Sequence, residues 1–490
     1  MGRRFGSVLL FCAFAALLVP LAFHAGPPLA KALAGAPERA AAVPAHQRPA
    51  SGVGPADGVT PASGPAPDQA ELAALLDPLL TLQGPGTLTA SVIDTATGTE
   101  LYGRGADAPA TPASNLKLLT AAAAVSTLGA DTRLRTTAWL DPASGTVVLR
   151  GGGDVMLGAG RSAEDQAAED QADGDQADDP PGSGQDGAEE DTAVGRAGLA
   201  TLAAATAAAL AEELPGGTVT VKVDDTLFTG PDLSPAWAEG DVEAGEIAPV
   251  HALALTSGWA APGVRSADPA LDAGAAFRDA LAAAADGFSV EPGLSRGTAG
   301  QGAREVAAVE SATIAEQVRQ MLLDSDNYAA EALGRLTADA AGRPATNDGA
   351  RTAVLEAVDR LGLDTTGMVL GDVSGLGEGT RVSAGQLSRL VALLLTAPDD
   401  GLRGVARSLP VAGLTGTLEN RYGDGSAGAG VVRAKTGTLF AVTSLGGYVT
   451  TADGRLMAFA FIADGLDSNL GEARAVVDAA AATLAACGCS

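Results

Sequence analysis

Histidine is almost missing from this chain: His24, His46 and His251 are all it has. A Ser-His-Asp triad could draw only on His251, because His24 falls in an N-terminal apolar run and His46 in a Pro/Ala/Gly stretch, and no local motif recommends His251. Cysteine is as scarce. Cys12 lies in the apolar run, leaving Cys487 and Cys489 at the C-terminus, too few for a disulfide scaffold, a cysteine nucleophile or a His/Cys metal site. A bridge between those two would close a small ring or join two chains; the plainer expectation is a frayed tail. Clustered Lys and Arg are absent after residue 4 and the formal net charge is -28, which excludes nucleic acid as a partner. Lysine is limited to Lys31, Lys117, Lys222 and Lys435, every other basic side chain being arginine. Arginine stays charged and cannot serve as a base, whereas a desolvated lysine amine can, so the positions that keep lysine invite attention.

What is present is bulk: 490 residues, 46% of them hydrophobic, enough for two or three packed domains. Met1-Gly2-Arg3-Arg4 precedes an apolar run from Phe5 to about Phe23, the layout of an export signal over residues 1–32, with Ala30-Lys31-Ala32 as a small-x-small cleavage site. An uncleaved membrane anchor is the alternative, although Pro20 interrupts a run of barely spanning length. Either places the bulk of the chain outside the cytoplasm. The paired arginines make a weak twin-arginine signal, and Phe11 before Cys12 is unsuited to lipidation. Residues 33–67 are Ala, Pro and Gly with scattered Ser and Thr, a semi-extended linker. Residues 161–191 form an acidic low-complexity tract that repels itself and reads as a solvated, disordered loop.

Between these segments the patterns predict a helix over 71–80, strands over 87–94 and 100–102, and an Ala/Leu-rich helix over 113–128 with Pro112 at its start and Gly129 as its stop. Strands follow over 134–139, 146–150 and 218–224, with helices over 199–213 and 273–284 and a glycine-rich stretch ending near Gly302. Helical patterns then cover 313–323, 328–339, 350–361 and 384–395, strands 431–435, 443–449 and 456–462, and a last helix 473–486. The expected fold class is α/β (α+β): an antiparallel sheet with flanking helices, residues 68–130 and 308–490, interrupted by an inserted region over 131–307. Gly151-Gly152-Gly153-Asp154 lacks the Gly-Lys-Ser/Thr ending of a phosphate loop, so a tight turn suffices there.

Three short motifs carry the chemistry. In Ser114-Asn115-Leu116-Lys117 the spacing of three puts a hydroxyl and an amine on one helical face near a helix N-terminus, an activated nucleophile. Ser325-Asp326-Asn327, between two predicted helices, offers a hydroxyl to relay a proton and an amide to hold a carbonyl. Lys435-Thr436-Gly437-Thr438, on a predicted strand, offers a cation and hydroxyls for a carboxylate and a glycine that lets a substrate backbone lie alongside.

In that order the motifs resemble those of penicillin-binding proteins and β-lactamases. The long gap between Ser114 and Ser325 makes the chain more similar to the low-molecular-mass penicillin-binding proteins of class C, D-alanyl-D-alanine carboxypeptidases and endopeptidases with a large insertion. Further matches are Asp224-Asp225 with Leu227-Phe228, Ala248-Pro249-Val250, Asp372-Val373-Ser374-Gly375-Leu376, and Leu409-Pro410 followed by Gly416-Thr417-Leu418. The acidic tract and Val155 after Asp154 depart from that pattern. The resemblance implies a β-lactamase/transpeptidase-like sheet and catalysis by Ser114, Lys117, Ser325, Asn327 and Lys435. Thr436, Gly437 and Thr438 would bind substrate, and Lys435's charge together with burial would depress Lys117. It also implies peptidoglycan stem peptides as substrate, β-lactams as inhibitors, and no metal or organic cofactor. A β-lactamase and a non-catalytic wall-binding scaffold are the competing readings.

Overall fold

The computed structural model of the chain describes residues 64–167 and 193–489. The expected export segment, all but the end of the linker, and most of the acidic tract lie outside the described residues. Among the described residues no helix is long and apolar enough to cross a membrane.

The chain opens with α1 (Gln69–Leu76), β1 (Thr87–Asp94), β2 (Glu100–Arg104), the two-residue β3 (Pro109–Ala110), a 3-10 turn (Ala113–Leu116) and α2 (Lys117–Leu128). The inserted region carries β4 (Arg133–Asp141), β5 (Thr146–Arg150), α3 (Leu199–Glu213), β6 (Thr218–Asp224) and the short α4 (Glu239–Glu243). After the small hairpin β7 (Trp259–Ala261) and β8 (Val264–Arg265) it closes with α5 (Pro269–Ala283), β9 (Ser289–Arg296) and β10 (Arg304–Thr313). Helices α6 (Ile314–Asp324), α7 (Asn327–Ala340) and α8 (Asn347–Arg360) lead through β11 (Val382–Ser383) to α9 (Ala384–Thr396) and α10 (Asp400–Arg407). The last elements are β12 (Arg433–Leu439), β13 (Val442–Thr450), β14 (Leu456–Asp464) and α11 (Leu470–Ala486).

The main sheet runs β12-β13-β14-β1-β2 and is antiparallel throughout, as expected. Successive side chains of a strand point to opposite faces, and β14 uses both. Met457, Phe459, Phe461 and Ala463 pack into a core with α1 and α11, while Ala458, Ala460 and Ile462 join a second core with α2 and the helical layer. Helix α2 crosses the middle of that layer, buried from Lys117 through Val125, its run of alanines letting α7 and α8 approach closely. The flanking helices are capped in sequence-legible ways: Thr313 and Glu316 form a capping box on α6, Ser383 and Gln386 another on α9, and Asp326 caps α7.

The insertion has its own five-stranded sheet, β10-β4-β5-β6-β9, antiparallel from β10 to β5 and parallel from β5 to β9. Leu202, Leu210, Phe277 and Leu281 of α3 and α5 pack against its valines. The expected boundary at residue 307 falls inside β10, whose pairing with β4 continues to Thr313 opposite Arg133. β9 and β10 stand where no strand was expected. The C-terminal tail is not frayed: Cys487 and Cys489 are buried and disulfide-bonded, Asp68 N–H donates to the Cys489 carbonyl and Ala452 N–H to that of Cys487.

Candidate active site

The sequence puts a strained residue just before the candidate nucleophile. Ala113 has φ 48°, a left-handed conformation unusual for a residue with a Cβ, and Ser114 follows in the 3-10 turn rather than in the first turn of a regular α-helix. Gly375 is required beside it, since a Cβ there would come within 2.0 Å of the Ala113 carbonyl oxygen. The other side of the turn is held by Asn115, whose amide donates to Ser444 Oγ at 2.8 Å while Ser444 donates to the Pro112 carbonyl at 2.6 Å. Ser114 is half-buried and therefore reachable.

Lys117 is completely buried. Its Nζ lies 3.1 Å from Ser114 Oγ, 2.6 Å from Asn327 Oδ1 and 2.7 Å from the Ser374 carbonyl oxygen. A neutral amine has two N–H donors and one lone pair. Asn327 and Ser374 can accept both hydrogens, which leaves the lone pair for the Ser114 hydroxyl. Burial lowers the Lys117 pKa to about 8, against the opposing pull of Asp372, Asp326, Glu331 and Glu246. Burial is thus the first cause at Lys117, and the repulsion between the two lysines is felt at Lys435. Lys435, also completely buried, is itself held well below its ordinary value by burial and then by the nearby charges of Lys117 and Arg421.

Ser325 ends α6 in a left-handed conformation, φ 60° and ψ 36°, which turns the chain sharply into α7. The turn directs its Oγ to Lys435 Nζ at 2.8 Å and brings Asn327 to Lys117, with the Asn327 amide donating to the Glu246 carbonyl at 2.9 Å. Lys435 and the following residues lie on β12, the edge strand of the main sheet, where Thr436 Oγ1 donates to Thr417 Oγ1 at 2.8 Å. Gly437 has a packing reason as well: a Cβ there would meet Ser444 Oγ at 2.2 Å and the Pro112 carbonyl at 2.7 Å, so the glycine seats the strand against the turn that carries Ser114.

Ser114, Ser325, Asn327, Thr436 and Thr438 line one cavity of about 340 Å3, and Lys117 and Lys435 stand behind its wall in contact with the two serines. Thr417, Arg421, Arg474, Glu246 and Asp324 complete the lining. His251 is not there; it is buried in the insertion against Asp225. Glu246, Glu331 and the two arginines were not singled out in the sequence. Glu331 alone left a signal, standing four residues after Asn327 on the same helical face. Its buried carboxyl is pushed up to about 8 by burial, then by Asp372, and accepts from the Val373 N–H at 3.0 Å.

The arrangement is a hydroxyl with a buried amine at hand, a second hydroxyl with a second buried amine, and an open strand edge. The model of the D-Ala-D-Ala carboxypeptidase 3 (S13) family matches residues 70–264 and 259–486. This chain belongs to that family. Among its relatives, it is 37% identical over 433 residues to a carboxypeptidase DacB of Mycolicibacterium smegmatis, covering 86% of this chain and 85% of the relative. It is 34% identical over 443 residues to a D-alanyl-D-alanine carboxypeptidase of an Actinomadura species, 80% of each being covered. Its fold is similar to that in the crystal structure of penicillin binding protein 4 (dacB) from Haemophilus influenzae, TM-score 0.63 at 18% identity, covering 85% of this chain and 98% of that one.

Proposed function

We infer that the chain is a serine-type D-Ala-D-Ala carboxypeptidase that works through an acyl-enzyme on peptidoglycan peptides, splits cross-linked peptides by the same chemistry, and is inhibited by β-lactams. The observation that carries this is the buried Lys117 amine, with two acceptors for its hydrogens and Ser114 Oγ 3.1 Å from its nitrogen, in a chain of this family.

Ser114 Oγ attacks the carbonyl carbon between the two D-alanines while its proton passes to Lys117 Nζ. Ser114 and Thr438 both line the cavity, and their backbone N–H groups would receive the developing oxyanion. Ser325, positioned by Lys435, passes the proton taken up by Lys117 on to the leaving amine, which frees Lys117 for the next step; the C–N bond breaks and D-alanine departs. Asn327 holds the substrate's amide and Lys117 together, and Thr436 with Lys435 takes the terminal carboxylate. Water then hydrolyses the ester and returns Ser114.

We also propose that the enzyme acts outside the cytoplasm, behind a cleaved signal or on an N-terminal anchor. The support is Met1-Gly2-Arg3-Arg4 with its apolar run, together with a cell-wall substrate. Mass measurement of the N-terminus of the exported chain separates the two: a mature end near Ala32 means cleavage, and an intact Met1 end means an anchor.

The activity is tested with a fluorescent penicillin and a peptide ending in D-Ala-D-Ala, on the full chain and on Ser114→Ala. A lasting adduct and D-alanine release, both lost in the variant, are expected. Rapid loss of the label without D-alanine release would make it a β-lactamase, and absence of both label and release would leave a scaffold.

A further inference from the structure

A cavity of about 670 Å3 in the insertion, larger than the one holding Ser114 and sharing no residue with it, is lined by Asp225, Phe228, Asp232, Leu233, Pro249, His251 and Arg296 among others. His251 forms its back wall with a side chain only 9% exposed. The imidazole is fixed from one side. Nδ1 lies 3.1 Å from Asp225 Oδ2, and Asp225 is held in turn by Arg296 Nε at 3.0 Å, with Arg296 also clamping Asp268 through two hydrogen bonds at 2.9 and 2.7 Å. Donation of Nδ1–H to that carboxylate leaves Nε2 as an acceptor facing the cavity.

Nε2 has no hydrogen-bond partner among the described residues. Its nearest polar neighbours are Asp232 Oδ2 and Asp268 Oδ1, each at 4.0 Å, too far for a direct hydrogen bond but close enough for one inserted donor nitrogen to reach both sides of the gap. Asp268 is already occupied by Arg296 and by the Leu271 N–H that it caps. The Asp232 carboxylate, half exposed at the cavity, lies in the field of the buried Arg335 guanidinium and 4.0 Å from the imidazole, and makes no side-chain hydrogen bond among the described residues. Among the described residues no group of three or more His, Cys, Asp or Glu side chains is arranged to hold a metal ion. An acceptor nitrogen, a carboxylate with hydrogen-bonding capacity to spare and apolar walls from Phe228, Leu233 and Pro249 together suit a positively charged donor on a hydrocarbon stem.

We propose that this cavity binds a primary ammonium group carried on an aliphatic stem, with His251 Nε2 and the Asp232 carboxylate as its two acceptors. The site is wired to the catalytic cavity by one short segment. Within it the His251 backbone N–H donates to Tyr328 Oη, Tyr328 donates to the Pro249 carbonyl, and the Glu246 carbonyl holds Asn327, the residue preceding Tyr328. Occupancy therefore touches the catalytic amide through the backbone. The proposal stands whether or not the proposed hydrolytic activity does.

The test is ring 1H–15N NMR of the full chain, in which only His24, His46 and His251 contribute and His251→Gln identifies the third signal. Titration with Nα-acetyl-lysine amide is expected to shift the His251 signal saturably while the other two stay fixed. The Nα,Nε-diacetyl form should leave it unmoved. Asp232→Asn, a change at an exposed carboxylate that leaves folding intact, is expected to weaken the binding about tenfold or more. Equal shifts with both probes, no shift with either, or unaltered binding in Asp232→Asn would overturn the proposal. Cadaverine in a parallel titration tells the source of the amine: binding as tight as the peptide-like probe means a free amine, and weaker binding means a peptide-borne one.

Discussion

Strands β13 and β14 of the main sheet are buried almost from end to end, because α11 covers one face and the helical layer the other. In the insertion, β9 is mostly exposed and lies at the edge of a sheet whose hydrophobic core is built with α3 and α5. A sheet covered on both faces can shield a lysine amine completely, and both Lys117 and Lys435 are shielded in that way. Lys222, on β6 of the insertion, is only partly buried. The difference teaches where the chemistry can be: a tuned amine needs cover on every side.

Replacing the lysines breaks this comparison most sharply. Lys117→Arg keeps a charge that cannot be shed and is expected to cut acylation by penicillin about 10³-fold, whereas Lys222→Arg should leave the rate unchanged; stopped-flow acylation measures both. Packing comes next. Phe461→Ala in β14 should cost about 3–5 kcal/mol in a denaturant melt, against a change within about 0.5 kcal/mol for Glu291→Ala on exposed β9. The pH profile of acylation should then rise up to about tenfold per pH unit on the acid side of a pKa near 8, because Lys117 must be neutral to take the proton. A profile flat across that range would remove Lys117 from the role of base.

The smallest expected effect compares two buried acids, Asp154 of the insertion, pushed up to about 7, and Glu331 of the helical layer, pushed up to about 8, both by burial. Between the ordinary carboxyl pKa and the raised one the folded chain binds more protons than the unfolded chain, so stability falls as pH rises across that window. Thermal melts from pH 5 to 9 should show this decline. Glu331→Gln should remove the part that extends to about pH 8, and Asp154→Asn the part ending near 7.

The same difference in cover decided what the sequence revealed. Strand β14, Leu-Met-Ala-Phe-Ala-Phe-Ile-Ala, is apolar on both faces and was legible almost to its ends, as were β1, β5, β6 and helix α3. β9 contains Pro292 and Gly293 and alternates weakly. β10, Arg-Glu-Val-Ala-Ala-Val-Glu-Ser-Ala, has a composition that suits a helix and becomes a strand only because β4 pairs with it. In the site, Ser114, Lys117, Ser325, Asn327 and Lys435 could be read because each belongs to a short motif. The carbonyls of Glu246 and Ser374 could not, since any residue type supplies a carbonyl and only the fold says where it points.

One pairing has a consequence for how the molecule is made. Thr87 of β1 lies opposite Asp464 of β14, so the main sheet joins the beginning of the described chain to its end across the whole insertion. During synthesis from the N-terminus, β1 and β2 wait beside an already completed second sheet until β14 emerges. Closing so long a loop is entropically slow, and Lys435 reaches Ser325 only once the last strands are in place. Ser114 is thus synthesised well before the strands that complete its cavity, so a prematurely ended chain carries that serine without Lys435, Thr436 and Thr438 beside it.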